Sequence, residues 1–218
     1  MRNSFDGNRV LSELLRMIDA MILGMLWLLC SVPIITIGAS SAAFYYAYHE
    51  TVFCRRGYAW KEFFLAFKEN FKKATKLWSI VLTILVIALV DVIVVLTMGE
   101  AELLSGMFLV FAVAVFILVG AWALYVFPCI ARFEMKLQVI MKYCAIIAFA
   151  NLLWTILLLA LFAGAVFAVM LMPGLILVLP AGYMFCANRI LEHIFRKYMT
   201  LEDLKAQKDA AEKIKQSR

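Results

Sequence analysis

The sequence predicts an all-α fold: a polytopic membrane bundle of six helical spans, with an in-plane amphipathic helix and a cytosolic C-terminal helix. Three observations carry that expectation. Apolar residues make up 66% of the 218-residue chain, and its mean hydropathy is +0.93, well above a typical soluble domain. Apolar runs of spanning length recur, the clearest being Leu77–Thr97 with one charge, Asp91. The clusters of Lys and Arg fall between those runs. About twenty apolar residues at a helical rise cross the hydrocarbon. Backbone groups there must be satisfied within their own segment, which makes the runs helices.

In chain order, residues 1–16 are polar with Val10, Leu11, Leu14, Leu15 and Ile18 on one helical face, a surface helix running into a first span at Met17–Ile37. Arg2, Arg9 and Arg16 precede that run, but the polar lead is too long and the apolar stretch too extended for a secretory signal, so it reads as a retained helix. Pro33 sits near the end of the span, and Gly38, Ser40 and Ser41 are suited to turn the chain. Residues 42–54, AAFYYAYHETVFC, are apolar but short. Without a crossing there the bundle has five spans, and Arg2, Arg9 and Arg16 lie opposite the other eighteen of the 21 basic residues. With a second crossing at Ser40–Cys54 all of them share one side, which the positive-inside rule favours. Six spans place both termini in the cytoplasm.

Trp60, Phe63, Phe64, Phe67, Phe71 and Ala74 recur at helical spacing, with Lys61, Lys68, Lys72, Lys73 and Lys76 on the other faces. An aromatic face opposite a lysine face suits a helix in the headgroup plane, drawn to anionic lipid. The alternative use is a docking face for a cytosolic partner. The third span, an outer loop at Gly99–Gly106, a span at Met107–Ala131, a cytoplasmic stretch Arg132–Lys142, a span at Ala145–Leu171, a turn at Met172–Gly174 and a last span at Leu175–Ile190 complete the membrane domain, residues 1–198. A polar tail, 199–218, opens with Thr200 placed to cap a helix and Asp203 placed to reach back.

Few residues point to chemistry. Asp91 is an acidic group deep in an apolar run, where a carboxylate is costly and is a site candidate by default. His49 and Glu50 in the doubtful second span are weaker candidates for binding substrate. With Arg132, Glu134, Asn188, Arg189, Glu192 and His193 they define an expected inner polar cluster. Ala160, Gly164 and Ala168 recur every four residues, a helix-packing face. The five cysteines show no C-x-x-C and no zinc spacing, so no metal or cofactor is expected and the thiols read as small apolar groups. A P-loop and an H-E-x-x-H motif are both missing. No Ser or Cys nucleophile has an obvious base, so no catalytic residue is assigned and the chain is not expected to be an enzyme. Glu100-Ala101-Glu102 with Gly106 imitates an importer coupling loop, but charge counting puts it on the outer side. The net charge of +6 lies beside the bilayer, which argues for lipid and against nucleic acid as its partner.

The stretch from Leu28-Leu29-Cys30-Ser31-Val32-Pro33 to Thr36-Ile37-Gly38-Ala39, followed by Phe63-Phe64-Leu65-Ala66-Phe67-Lys68-Glu69-Asn70-Phe71, resembles the YesL-like family of bacterial integral membrane proteins. Pro128 through Arg132-Phe133-Glu134, Ala150-Asn151-Leu152-Leu153, and Leu179-Pro180 to Tyr198 fit more loosely. Tyr48-His49-Glu50 departs from the apolar or basic segment expected there. The family has no assigned activity; its genes tend to lie beside carbohydrate importers and glycoside hydrolases, mostly in Firmicutes. The resemblance therefore implies a plasma-membrane accessory subunit of a carbohydrate ABC importer, in contact with its permease subunits. The rival expectation is a small self-sufficient transporter or channel.

Overall fold

The computed structural model describes residues 2–98, 102–133 and 137–198 and is helical over most of them. Its helices are α1 (Arg2–Ser31), α2 (Ile37–Tyr48), α3 (Ala59–Met98), α4 (Glu102–Arg132), α5 (Leu137–Ala150), α6 (Leu152–Leu171) and α7 (Leu179–Tyr198). Short 3-10 turns at Ile34–Thr36 and Pro173–Leu177 and a π-helical turn at His49–Phe53 connect some of them. The expected helix from Thr200, the contribution of Glu134 and the first part of the outer loop, 99–101, lie outside the described residues.

Four segments have the length and composition to cross a bilayer: Leu11–Ser31, Ala59–Val95, Gly106–Arg132 and Leu152–Leu171. Their exposed faces carry Ile84, Ile87, Val90, Phe111, Ile117, Leu153, Phe167 and similar side chains, a surface that lipid and not water must cover. The two further crossings of a six-span count do not have this character. α2 is 12 residues long, about 18 Å at 1.5 Å per residue, and it is buried in protein rather than turned to lipid. The last turns of α7 carry Arg189, Glu192, His193, Arg196 and Lys197.

α1 and α2 form an antiparallel hairpin. The chain turns at Val32–Thr36, not at Gly38–Ser41, because Thr36 closes the turn by donating to the carbonyls of Cys30 (2.6 Å) and Pro33 (2.7 Å). Gly38, Ser40 and Ser41 instead stand inside α2, where small residues let it pack closely. Trp27 Nε1 donates to Ser41 Oγ (3.1 Å) and the hydroxyls of Ser31 and Ser40 are 2.7 Å apart, which fixes the register. At the open end, Arg55 Nη2 lies 3.4 Å from Glu13 Oε1, so the hairpin leaves from and returns to the same place.

α3 is the main departure from expectation. The amphipathic stretch and the apolar stretch are one unbroken helix of 40 residues, about 60 Å long, twice the hydrocarbon thickness. It contains neither Gly nor Pro, the usual causes of a sharp bend. Its aromatic face is not free for lipid along its whole length: Phe63, Ala66, Ala74 and Leu77 are buried, packed with α2 in the protein core. The hairpin tip reaches the middle of α3, where Trp78 Nε1 donates to the Ile34 carbonyl at 2.6 Å. α4 packs back along α3, with the rings of Trp78 and Phe127 at 5.9 Å. α5 is tied to α4 by Trp122 Nε1 donating to the Met141 carbonyl, 3.1 Å. α6 and α7 pair antiparallel through Phe162–Tyr183 and Trp154–His193 ring contacts.

Candidate functional site

The polar interior gathers where α2, α4 and α7 meet. At its centre is Glu192 of α7, 3% exposed. Tyr45 Oη donates to its Oε1 at 2.8 Å, and Arg132 Nη2 donates to its Oε2 at 3.2 Å. His49 Nδ1 lies 3.4 Å from Oε1. A carboxylate withdrawn from water costs several kcal/mol unless its oxygens are met by charge and hydrogen bonds, and Tyr45 and Arg132 meet them. They come from residues far apart in sequence, so the pairing exists only in the fold.

The end of α2 shapes the other half of the site. At His49–Phe53 the helix widens by one residue, and Cys54 N–H bonds to the His49 carbonyl at 2.8 Å, the i→i+5 spacing of a π turn. That spacing places Cys54 over His49, with Sγ 3.3 Å from Nε2. Arg56 N–H then bonds to the Glu50 carbonyl at 2.8 Å and ends the helix. The exit runs through Arg55, at φ 58, and Gly57, at φ 67. The His49 ring stacks between Tyr45 (6.3 Å, 16°) and Phe53 (5.3 Å, 24°). His49 lies outside the four apolar spans, and burial holds its imidazole down to about 4 although Glu192 pulls it up. The ring is therefore neutral near pH 7, with a lone pair to offer.

His49, Glu50 and Cys54 present one donor atom each, all within 4.8 Å of one another. Arg56 Nη1 lies 3.8 Å from Glu50 Oε2 at the rim. Asn188, 1% exposed, sits beside His49 with neither atom of its amide group in a well-formed hydrogen bond. The arrangement is suited to hold a cation or a polarisable ligand. Cys54 was not singled out from the sequence, because residues five apart do not face each other on an ordinary α-helix; only the π turn brings it to His49.

A second network is structural. Tyr125 Oη and Thr155 Oγ1 are 2.9 Å apart, Asn151 Nδ2 donates to Tyr198 Oη at 3.1 Å, and Tyr143 Oη donates to the Tyr198 carbonyl at 3.1 Å. These bonds tie α4 to α6 and the end of α7 to α5.

Other expected site residues are dispersed. Of the anticipated inner cluster, His49, Arg132, Asn188 and Glu192 come together, whereas His193 turns to Trp154 and Arg189 stacks over Phe185 at 4.6 Å. Asp91 is half-buried in α3, about 20 Å of helix beyond Trp78, without a bonding partner among the described residues and apart from His49 and Glu50. Trp60, Phe64, Phe71, Lys68, Lys72 and Lys73 are exposed, Phe67 is half-buried and Phe63 is fully buried. Ala160 and Gly164 are exposed and Ala168 half-buried, and a Cβ added at Gly164 meets nothing within 4 Å. The five cysteines are free, with Cys129 and Cys144 buried.

Four long apolar helices around a helical core define a multi-pass membrane protein. Within that class, residues 20–92 match the family described as "Protein of unknown function, DUF624". The matched segment contains the end of α1, all of α2, the His49–Glu50–Cys54 turn and most of α3. Neither a curated protein nor a solved structure matches the chain.

Proposed function

We propose that this protein is a non-enzymatic accessory subunit that docks beside the permeases of a carbohydrate ABC importer in a bacterial plasma membrane. One observation supports docking: the first half of α3 is braced by α2 along one side and leaves Trp60, Phe64, Leu65 and Phe71 exposed beside Lys61, Lys68, Lys72 and Lys73. Exposed aromatics set among cations on a rigid helix are the composition of an interface core and its rim. The choice of partner follows the resemblance to the YesL-like family. Both termini are cytoplasmic in this reading. The Glu13–Arg55 contact returns the first hairpin to its starting side, the Arg132–Glu192 pair joins the ends of α4 and α7, and the basic residues then share one face.

Extraction in mild detergent followed by affinity capture tests the proposal. Importer permeases should copurify with the wild-type chain and be lost with a Trp60→Ala, Phe64→Ala, Phe71→Ala variant that remains monodisperse. Solute movement by the purified chain reconstituted alone would favour the transporter reading instead, and Asp91→Asn would then abolish it.

A further inference from the structure

The sequence spacing gives no reason to expect a metal, yet the π turn builds a donor set of one nitrogen, one oxygen and one sulfur. We propose that His49, Glu50 and Cys54 bind a divalent zinc-type ion, with a fourth position left to water. Zinc accepts that mixture of donors, and three protein ligands with one open position is the pattern of its non-structural sites. The spacing is suitable. With Zn–N near 2.0 Å and Zn–S near 2.3 Å, tetrahedral coordination separates nitrogen and sulfur by about 3.5 Å; His49 Nε2 and Cys54 Sγ stand 3.3 Å apart. All three donor atoms fall within 4.8 Å of one another, so a small local adjustment brings them around one ion.

Two features beyond the three donors point to a ligand. The first is Glu192. Metal-bound histidines commonly turn their second nitrogen to a carboxylate, which fixes the tautomer and raises ligand basicity. Glu192 Oε1 sits 3.4 Å from Nδ1, close but without a formed hydrogen bond, while Nε2 faces the sulfur; a small rotation of the ring gives the orientation such a ligand needs. Tyr45 and Arg132 hold Glu192, so the carboxylate on α7 is positioned from α2 and α4. The second is Asn188. Its amide is buried beside His49 without a well-formed hydrogen bond, a costly state for a polar group; in the proposed site a water on the ion would be its partner. Charge also allows the ion: Glu50, Glu192 and a Cys54 thiolate face Arg56 and Arg132, and the arriving dication displaces the thiol proton.

The test uses the full-length protein in mild detergent, stripped with chelator and titrated with zinc or cobalt alone. Wild type should take up one ion per chain against a competing chelator dye, and cobalt loading should give a thiolate-to-metal charge-transfer band. Cys54→Ser, nearly isosteric, should abolish the band and weaken zinc binding at least tenfold. Glu192→Gln should keep the band and weaken binding by about 10- to 100-fold, the range for outer-shell partners. If His49→Ala fails to fold, the Cys54→Ser result still decides. No stoichiometric zinc on wild type, or a Cys54→Ser variant that binds as wild type does, would overturn the site and leave a thiol–imidazole hydrogen bond as the whole content of the cluster.

Discussion

Adding a single methyl group at Gly38 should weaken this protein, whereas the same change at Gly164 should not. Gly38 lies where α2 crosses α3 and α4. A Cβ there would stand 2.6 Å from Trp78 Cβ, 2.7 Å from Phe127 Cε1 and 3.0 Å from the Ala74 carbonyl oxygen. Carbon atoms rest about 3.5–4.0 Å apart, so α2 must retreat by about 1 Å. Trp78 Cβ and the Ala74 oxygen belong to or adjoin the α3 backbone, so a side-chain rotation does not resolve the clash. The retreat also stretches the Trp78 Nε1 hydrogen bond to Ile34. Overpacking of this kind costs about 1–3 kcal/mol, and replacing a helical Gly by Ala returns at most about 1 kcal/mol. At roughly 2–4 °C per kcal/mol for a chain of this size, Gly38→Ala should melt several degrees lower. Gly164→Ala, with nothing within 4 Å, should melt at the wild-type temperature or slightly above it. Thermal unfolding of both variants in one detergent, followed by tryptophan fluorescence and circular dichroism, makes the comparison. If Gly38→Ala melts no lower than Gly164→Ala, the close approach of α2 to α3 is wrong.

Glu192→Ala leaves Arg132 and Tyr45 without their buried acceptor and should cost about 3–5 kcal/mol; the Arg132→Met, Glu192→Leu double variant should recover much of that in the same melt, and additive losses would refute the pairing. Tyr45→Phe removes one hydrogen bond to a charged group and should cost about 1.5–3 kcal/mol, read as a lowered melting temperature without loss of helical signal. Gly57→Ala places a side chain at φ 67 against Glu62 and should cost about 1–2 kcal/mol, with Gly57→Asn closer to wild type; equal melting of the Ala variant and wild type would remove the left-handed turn. Thr155→Val breaks the buried contact with Tyr125 and should cost about 1 kcal/mol, measured in the same way.

The helical class and most helix positions were readable from the chain because lipid imposes a strict rule: long apolar runs must satisfy their own backbone. The amphipathic face of Trp60–Lys76 was also readable as a helix, but its partner was not. A lipid surface and the side of α2 demand the same aromatic stripe, and composition cannot separate them. The small-residue stripe at Ala160, Gly164 and Ala168 shows the same ambiguity from the other direction, since small residues permit close packing without requiring it. Gly38, seated against Trp78 and Phe127, is where the fold uses that permission. His49, Glu192 and Arg132 could be suspected as polar groups, but their shared carboxylate depends on three helices meeting.

By itself, then, the sequence determined the solvent of this protein and the helical form of its chain, because hydrocarbon thickness and backbone satisfaction act on each segment separately. Only the tertiary structure decided that two expected helices are one α3, that α2 is buried, and that His49, Glu50 and Cys54 face a common point. Those outcomes depend on contacts between distant segments and on one π turn, and neither leaves a periodic mark in the order of residues.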